Sequence, residues 1–239
     1  MYQQEMAQSG KRLFFVRGLY IYTIIGIGTV IAWRSGVVPS ESYFWAAFAV
    51  AAAGALVRVV TSGFAALGTS GRAKFAAEAA ELNTTGPYSL VRNPLYVGRI
   101  LNFTGLALLS GSGVYGAIVF LRAVIVYERI SVYEEEFLRD EFGNTHATWA
   151  ASVPALLPRL TGWVKPKYPF WWKRMIWREQ NKLFLLATAV FLYALARANF
   201  DLDAVYSAST PLITAYGVLV VVRFIIGGLK MGGFFKELS

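Results

Sequence analysis

Six long apolar runs constrain this chain more than any other feature of its sequence. They lie at about residues 19–33, 43–67, 95–109, 114–127, 183–196 and 211–229. A helix needs about 20 apolar residues to cross a bilayer. The chain is also 56% hydrophobic and only 15% charged, whereas an ordinary soluble domain is about a quarter charged. We therefore predict an all-α, polytopic membrane helix bundle with about six transmembrane helices.

The Lys and Arg residues of the loops predict the orientation of this bundle. Nearly all of them lie on one side, in the arm 1–17, the connection 68–94, the region 128–182 and the tail. The other side holds essentially Arg34 and Arg197. By the positive-inside rule, both termini then face the cytoplasm. We expect a multi-pass protein of a bacterial or archaeal inner membrane, whose formal charge of +9 faces anionic lipid rather than nucleic acid.

The use of cysteine and histidine excludes several kinds of site. The chain has no cysteine and a single histidine, His146. Disulfides and Cys-ligated metals are therefore excluded, and a metal site or catalytic triad built on histidine is disfavoured. We predict that the protein holds no metal.

A polar stretch from Gly86 to Gly98 stands before the third apolar run. Its sequence is G-P-Y-S-L-V-R-N-P-L-Y-V-G. Pro94 disfavours helical geometry at Asn93, so a helix should begin at about this point. Arg92, Asn93 and Tyr96 then lie at a helix N-terminus, where free N–H groups and the helix dipole favour an anionic group. This pattern predicts a cofactor site at the membrane surface, on the cytoplasmic side.

A second polar cluster begins at Arg129 and continues to Glu134 and Glu135. Four small residues at 110–113 should fold the third and fourth apolar runs into an antiparallel hairpin, which brings the two clusters to one membrane face. We therefore predict that Arg92 lies close enough to Glu134 or Glu135 for both to touch one ligand. Carboxylates can bind ribose hydroxyls or an amino group, and arginine can bind a carboxylate. Alternatively, the successive glutamates of this helix point in different directions, and some of them simply face solvent.

These motifs together resemble the isoprenylcysteine carboxyl methyltransferase and phospholipid methyltransferase superfamily of integral membrane enzymes. The resemblance covers about residues 86–158, is loose over the first two apolar runs and does not extend to 163–239. It implies S-adenosylmethionine as cofactor. The matching pieces, in chain order, are Gly86 to Gly98, Arg129-Ile130, Glu134-Glu135, Leu138, Phe142-Gly143, Val153-Pro154 and Pro158.

The resemblance also implies roles for individual residues. Asn93 stands where the carboxyl methyltransferases have a histidine, and it cannot act as a general base because it does not titrate near neutrality. His146 and Trp149 stand where the family often has two tyrosines. Arg129 occupies the position of an arginine near the substrate, and we add Arg58, Arg99 and Arg122 as residues that could orient an anionic acceptor. The implied cofactor-binding positions are Tyr88, Arg92, Asn93, Pro94, Tyr96, Gly98, Glu134 and Glu135.

We accordingly predict a membrane methyltransferase that acts on a lipophilic or amphiphilic acceptor, either a carboxylate such as isoprenylcysteine or a phospholipid amine. The predicted regions are N-terminal transmembrane helices with their connection (1–85), a methyltransferase core (86–160), and an interfacial aromatic and basic segment followed by two transmembrane helices (161–239). Two alternatives are a sterol-reductase-like NADPH enzyme and a non-catalytic lipid-binding protein. The first is disfavoured because no extended arginine cluster for a 2′-phosphate lies near Glu134.

Overall fold

The structure is a computed structural model that describes residues 2–66, 69 and 79–235. Every regular element within these residues is helical, which confirms the predicted all-α class. A 3₁₀ turn at Gly86–Ser89 precedes the fourth α-helix. The α-helices are α1 (Tyr2–Val16), α2 (Tyr20–Ser35), α3 (Glu41–Phe64), α4 (Pro94–Leu109), α5 (Gly113–Ser152), α6 (Trp172–Arg197), α7 (Leu202–Ala208) and α8 (Thr210–Met231).

Local sequence signals set several helix ends. Ser40 caps α3 and Ser112 caps α5, and each hydroxyl accepts a hydrogen bond from the backbone N–H three residues later, at 3.3 and 3.1 Å. Pro94 occupies the first turn of α4, where its missing N–H costs nothing. Gly111 has a φ of +95°, which an L side chain rarely adopts, in the short turn between α4 and α5. The two helices therefore form the predicted hairpin.

The number of helices suited to crossing a bilayer is smaller than the six predicted. Among the described residues, α3 and α8 are long and apolar enough. Two bent pairs raise the number to four if each is one span: α1 with α2, at 69°, and α6 with α7, at 106°. The apolar helix α4 has only 16 residues. The remaining predicted run, 114–127, lies inside α5, whose later part is charged.

Helix α5 continues past the predicted fourth span without a break. The sequence predicts that the fourth span ends at about residue 127, but the helix is regular from Gly113 until Gly143, whose φ of 49° and ψ of −124° bend it. The helix from Gly113 to Gly143 is about 45 Å long, at about 1.5 Å per residue. Glu134 and Glu135 therefore lie on the same straight helix as the apolar hairpin arm.

Two segments predicted to be peripheral are instead packed against the bundle. The basic arm 1–17 forms α1, in which Phe14 is buried and meets the Tyr133 ring edge-on at 5.6 Å. The aromatic segment 163–182 divides in two. Residues 172–182 form the first turns of α6, and the loop before them is hydrogen-bonded to the bundle, with the Trp171 N–H donating to the Gly63 carbonyl at 2.9 Å. This segment is therefore an integral part of the fold.

The crossing of α3 and α4 depends on glycine. A Cβ at Gly98 would lie 2.5 Å from Arg58 Cγ and 2.8 Å from the Gly54 carbonyl oxygen. Small residues allow helix backbones to approach this closely in membranes. The buried Asn102 side chain donates to the Ala51 carbonyl across the same contact, at 3.1 Å. Gly98, which the resemblance assigned to cofactor binding, therefore makes room for the Arg58 side chain.

We expect Gly98→Ala to destabilise the protein by about 1–3 kcal/mol, because the added methyl group overpacks a contact with a backbone oxygen. Thermal unfolding of the detergent-purified protein would measure the change. Gly26→Ala is the matched control, since a Cβ at Gly26 meets nothing within 4 Å. Equal melting temperatures for the two variants would contradict this account of the helix crossing.

Candidate active site

One cavity of about 500 Å³ opens at the end of the bundle where α1 and α3 finish and α4 and α6 begin. Its volume lies within the range of small-molecule sites, about 300–1,000 Å³. Residues from all three predicted regions line it, so the site does not belong to the 86–160 core alone. The lining includes Arg17, Arg58, Ser62, Glu81, Tyr88, Arg92, Asn93, Pro94, Tyr96, Arg99, Glu134, Trp149, Trp177, Arg178, Glu179, Lys182 and Lys230.

The predicted approach of Arg92 to the double glutamate is present in the structure. Arg92 Nε and one terminal nitrogen each donate to a different oxygen of Glu135, both at 2.9 Å. The Asn93 amide donates to the same carboxylate at 3.2 Å. Such a bidentate pair fixes orientation as well as charge. The tight α4–α5 turn therefore brings residues 43 positions apart into direct contact.

The chain that follows the Gly143 bend also binds Arg92, through its backbone carbonyl groups. The second terminal nitrogen of Arg92 donates to the Ala150 and Val153 carbonyls at 2.7 and 3.1 Å. The backbone N–H groups of Arg92 and Asn93 donate to the carbonyls of Pro154 and Ala155. The V-P-x-x-x-P segment therefore positions the start of α4. Four of the five Arg92 side-chain N–H groups are used within the protein.

Glu134, unlike Glu135, faces the cavity. Burial raises the pKa of the Glu134 carboxyl, and the Tyr96 hydroxyl and the charge of Arg17 partly offset this effect. The Tyr96 ring stacks on Tyr127, with ring centroids 4.9 Å apart, so its hydroxyl is held in place. This end of the cavity therefore presents a carboxylate that can protonate above the usual pKa of glutamate.

A second buried ion pair lies beside the cavity, and the sequence analysis did not predict it. Arg58 donates from Nε and a terminal nitrogen to the two oxygens of Glu179, both at 2.9 Å, and both side chains are at most 7% exposed. Ser62 donates to the same carboxylate at 2.8 Å, and Lys182 lies 3.4 Å from it. One signal could have revealed it: Glu179 is the single acidic residue in the basic segment 163–182.

Some of the predicted site residues line the cavity, and others lie outside it. Arg129 does not line the cavity: it is exposed on the side of α5 that faces α1, and its nearest polar contact is the Ser9 hydroxyl at 3.5 Å. Arg122 lies over the Tyr20 ring in a separate groove between α2 and α5. Of the predicted positions, Tyr88, Arg92, Asn93, Pro94, Tyr96, Glu134, Arg58 and Arg99 line the cavity, whereas Gly98, Glu135 and Arg129 do not.

The two residues that replace the family's tyrosines are close to each other. His146 is buried and its ring meets Trp149 at 5.8 Å, while burial lowers the pKa of the imidazole. The Trp149 indole donates to the Tyr88 carbonyl at 3.2 Å, at the rim of the cavity. Over residues 2–66, 69 and 79–235, no three His, Cys, Asp or Glu side chains are grouped as metal ligands would be.

Two curated bacterial proteins are similar to part of this chain. The cobalt-zinc-cadmium resistance protein CzcN of Cupriavidus metallidurans is 38% identical over 80 residues, which are 34% of this chain and 37% of that protein. The nickel-cobalt-cadmium resistance protein NccN of Alcaligenes xylosoxydans xylosoxydans is 34% identical over 120 residues, which are 49% of this chain and 54% of that protein. The chain thus spans about a third to a half of these relatives' lengths. No solved structure matches it.

The family comparison covers three of the helices that line the cavity, α3, α4 and most of α5. A sequence model described as phospholipid methyltransferase matches residues 43–145. This match begins in α3, before the predicted core, and ends just after the Gly143 bend of α5. It includes Arg58, the start of α4 and both glutamates. Residues 43–145 are therefore similar to the phospholipid methyltransferase family, in agreement with the superfamily of membrane methyltransferases that the motifs resemble.

Proposed function

We propose that this protein is an S-adenosylmethionine-dependent methyltransferase that modifies a lipophilic or amphiphilic acceptor at the membrane surface. One observation carries the proposal: in a chain similar to this family, the Arg92–Glu135 pair holds the start of α4 so that Glu134, Tyr96 and Asn93 line one cavity. We place this cavity on the cytoplasmic side, because nearly all loop Lys and Arg lie at that end.

The chemistry of the lining suits S-adenosylmethionine, which carries an ammonium, a sulfonium, a carboxylate and a nucleoside. The Glu134 carboxylate can bind a cationic group or ribose hydroxyls. The amide oxygen of Asn93 can accept a hydrogen bond, and Tyr96, Tyr88 and Trp149 offer aromatic and polar surface. A volume of about 500 Å³ also leaves room for part of an acceptor.

The demands on the protein in such a reaction are modest. Because the bound sulfonium supplies an already activated methyl group, the side chains have to align the acceptor and exclude water. Asn93 does not titrate near neutrality, which is compatible with a site that only has to align the acceptor and exclude water. Asn93 instead anchors α4, by donating to Glu135 and to the Ala155 carbonyl at 3.2 Å each.

Calorimetric titration of the detergent-purified protein with S-adenosylmethionine and with NADPH tests the proposal. We expect S-adenosylmethionine to bind and NADPH not to bind. Binding of NADPH alone would favour the reductase alternative, and binding of neither by a folded sample would favour the non-catalytic one.

We expect Glu134→Gln to weaken S-adenosylmethionine binding at least about tenfold, because a charge-assisted hydrogen bond contributes about 1.5–3 kcal/mol. Since the pKa of Glu134 is raised, wild-type affinity should also fall on acidification at a pH above the usual glutamate range, when the carboxylate takes up a proton. The variant should lack this pH dependence. Glu136→Gln is the control, as Glu136 lies outside the cavity lining. An unchanged pH profile in Glu134→Gln would contradict the role of Glu134.

A further inference from the structure

We infer that Arg58, Arg99 and Lys182 form a subsite for the oxyanion group, carboxylate or phosphate, of an amphiphilic acceptor. The inference rests on the proposed function, which it deepens by naming the charge of the acceptor headgroup. It also gives helix α6, which lies outside the family match, a part in acceptor selection.

Two cationic side chains, Arg58 and Lys182, share a single carboxylate, and a third cation from another helix lies near them. Glu179 binds Arg58 through both oxygens, and Lys182 Nζ lies 3.4 Å from one of them. Arg99 is close enough to act electrostatically on both Arg58 and Lys182. Arg58, Arg99, Glu179 and Lys182 all line the cavity. With one negative and three positive groups, the cluster carries a net charge of about +2 in a partly buried position.

Two cations of this cluster, Arg99 and Lys182, have hydrogen-bonding capacity left for a ligand in the cavity. Over the part of the chain that the structure describes, no ion pair joins Arg99 to a carboxylate, and its guanidinium lies 5.7 Å from the centre of the Phe103 ring. Lys182 shares Glu179 with Arg58, and its ammonium also donates to the Arg178 carbonyl. Excess positive charge in a desolvated place is unfavourable unless a counter-anion binds there.

The position of the cluster distinguishes it from the cofactor end of the cavity. Glu134, the group suited to a cationic cofactor, lies on α5, whereas Glu179 and Lys182 lie on α6, and α4 with its Tyr96 and Arg99 lies within reach of both. An ammonium headgroup at the cluster would be repelled by the net charge, and an oxyanion would be attracted. A cofactor at Glu134 and an oxyanion at Lys182 could therefore occupy the cavity together.

The test uses the full chain in a neutral detergent and four probes: laurate, dodecyl phosphate, dodecylamine and inorganic phosphate. The first three share a twelve-carbon tail and differ in headgroup. We expect laurate and dodecyl phosphate to bind at least about tenfold more tightly than dodecylamine. Equal affinity for dodecylamine would overturn the inference. Binding of inorganic phosphate as tight as that of dodecyl phosphate would show a site for a free anion and overturn the assignment to an amphiphile.

Charge-removing variants locate the binding. Lys182→Gln and Arg99→Gln should each weaken dodecyl phosphate binding at least about tenfold, Lys182→Arg should restore it, and S-adenosylmethionine affinity should stay within about twofold of wild type. Arg139→Gln and Lys165→Gln, at exposed positions, are the matched controls. A parallel loss of S-adenosylmethionine binding would assign the cluster to the cofactor and refute the inference. If the wild type bound dodecyl phosphate through Lys182 but not S-adenosylmethionine, the proposed function would fail while the oxyanion site stood.

Discussion

Glu179→Ala is expected to destabilise the protein by about 3–5 kcal/mol, the largest effect of any single substitution proposed for this chain. Arg58 and Glu179 are both buried and joined by two 2.9 Å hydrogen bonds, with Ser62 on the same carboxylate. Removing the carboxylate leaves the Arg58 charge uncompensated in α3. Thermal unfolding in detergent should show a lower melting temperature, by on the order of 10 °C for a chain of this length.

Two further variants separate the lost charge pair from a lost side chain. Asp140→Ala removes an exposed carboxylate from α5 and should leave the melting temperature almost unchanged. Replacing both partners, in Arg58→Met with Glu179→Met, should recover much of the loss, because an apolar pair leaves no buried charge. If the double variant melted as low as Glu179→Ala, packing and not charge would explain the effect.

Glu135→Ala is expected to weaken S-adenosylmethionine binding by about a hundredfold, or about 3 kcal/mol. The substitution removes two charge-assisted hydrogen bonds from Arg92 and one hydrogen bond from Asn93. A charge-assisted hydrogen bond contributes about 1.5–3 kcal/mol. Arg92 keeps its bonds to the Ala150 and Val153 carbonyls, so the chain should still fold. The start of α4, however, is no longer fixed against α5, and the cavity loses its geometry.

Calorimetry would measure the affinity, and circular dichroism would confirm that the variant remains helical. Glu141→Ala, on an exposed position of the same helix, is the control and should bind like wild type. Full affinity in Glu135→Ala would show that Arg92 and Asn93 do not organise the cofactor end of the cavity.

The parts of this protein that the sequence predicted well are those with short-range causes. Pro94 determines where α4 begins, and the four small residues at 110–113 determine where the chain reverses. These two features are sufficient to place Arg92 beside Glu135. The roles of these residues toward a cofactor remain predictions, since the geometry alone does not test them.

The parts that it did not predict have long-range causes. No local pattern indicates that Glu179 pairs with Arg58, because the composition of 163–182 is that of a membrane interface and the partner lies 121 residues away. The unbroken course of α5 was missed for a related reason: the change from apolar to charged residues after Tyr127 marks the edge of the predicted membrane region, and not the end of a helix. The composition of a segment indicates whether membrane or water surrounds it, and it indicates less directly where the helix ends.

The separation of Arg58 from Glu179 also has a consequence for biosynthesis. A chain made from its N-terminus releases α3 to the membrane long before α6 exists, because the two partners are 121 residues apart. An arginine costs about 2.5–3.5 kcal/mol at the centre of an inserting helix and less toward its end, so the nascent α3 begins with a charge that its final partner does not yet balance. The ion pair that closes the cavity wall is thus among the last contacts that synthesis permits. Its formation joins the α3 and α6 parts of the cavity wall, to which α8 later adds Lys230.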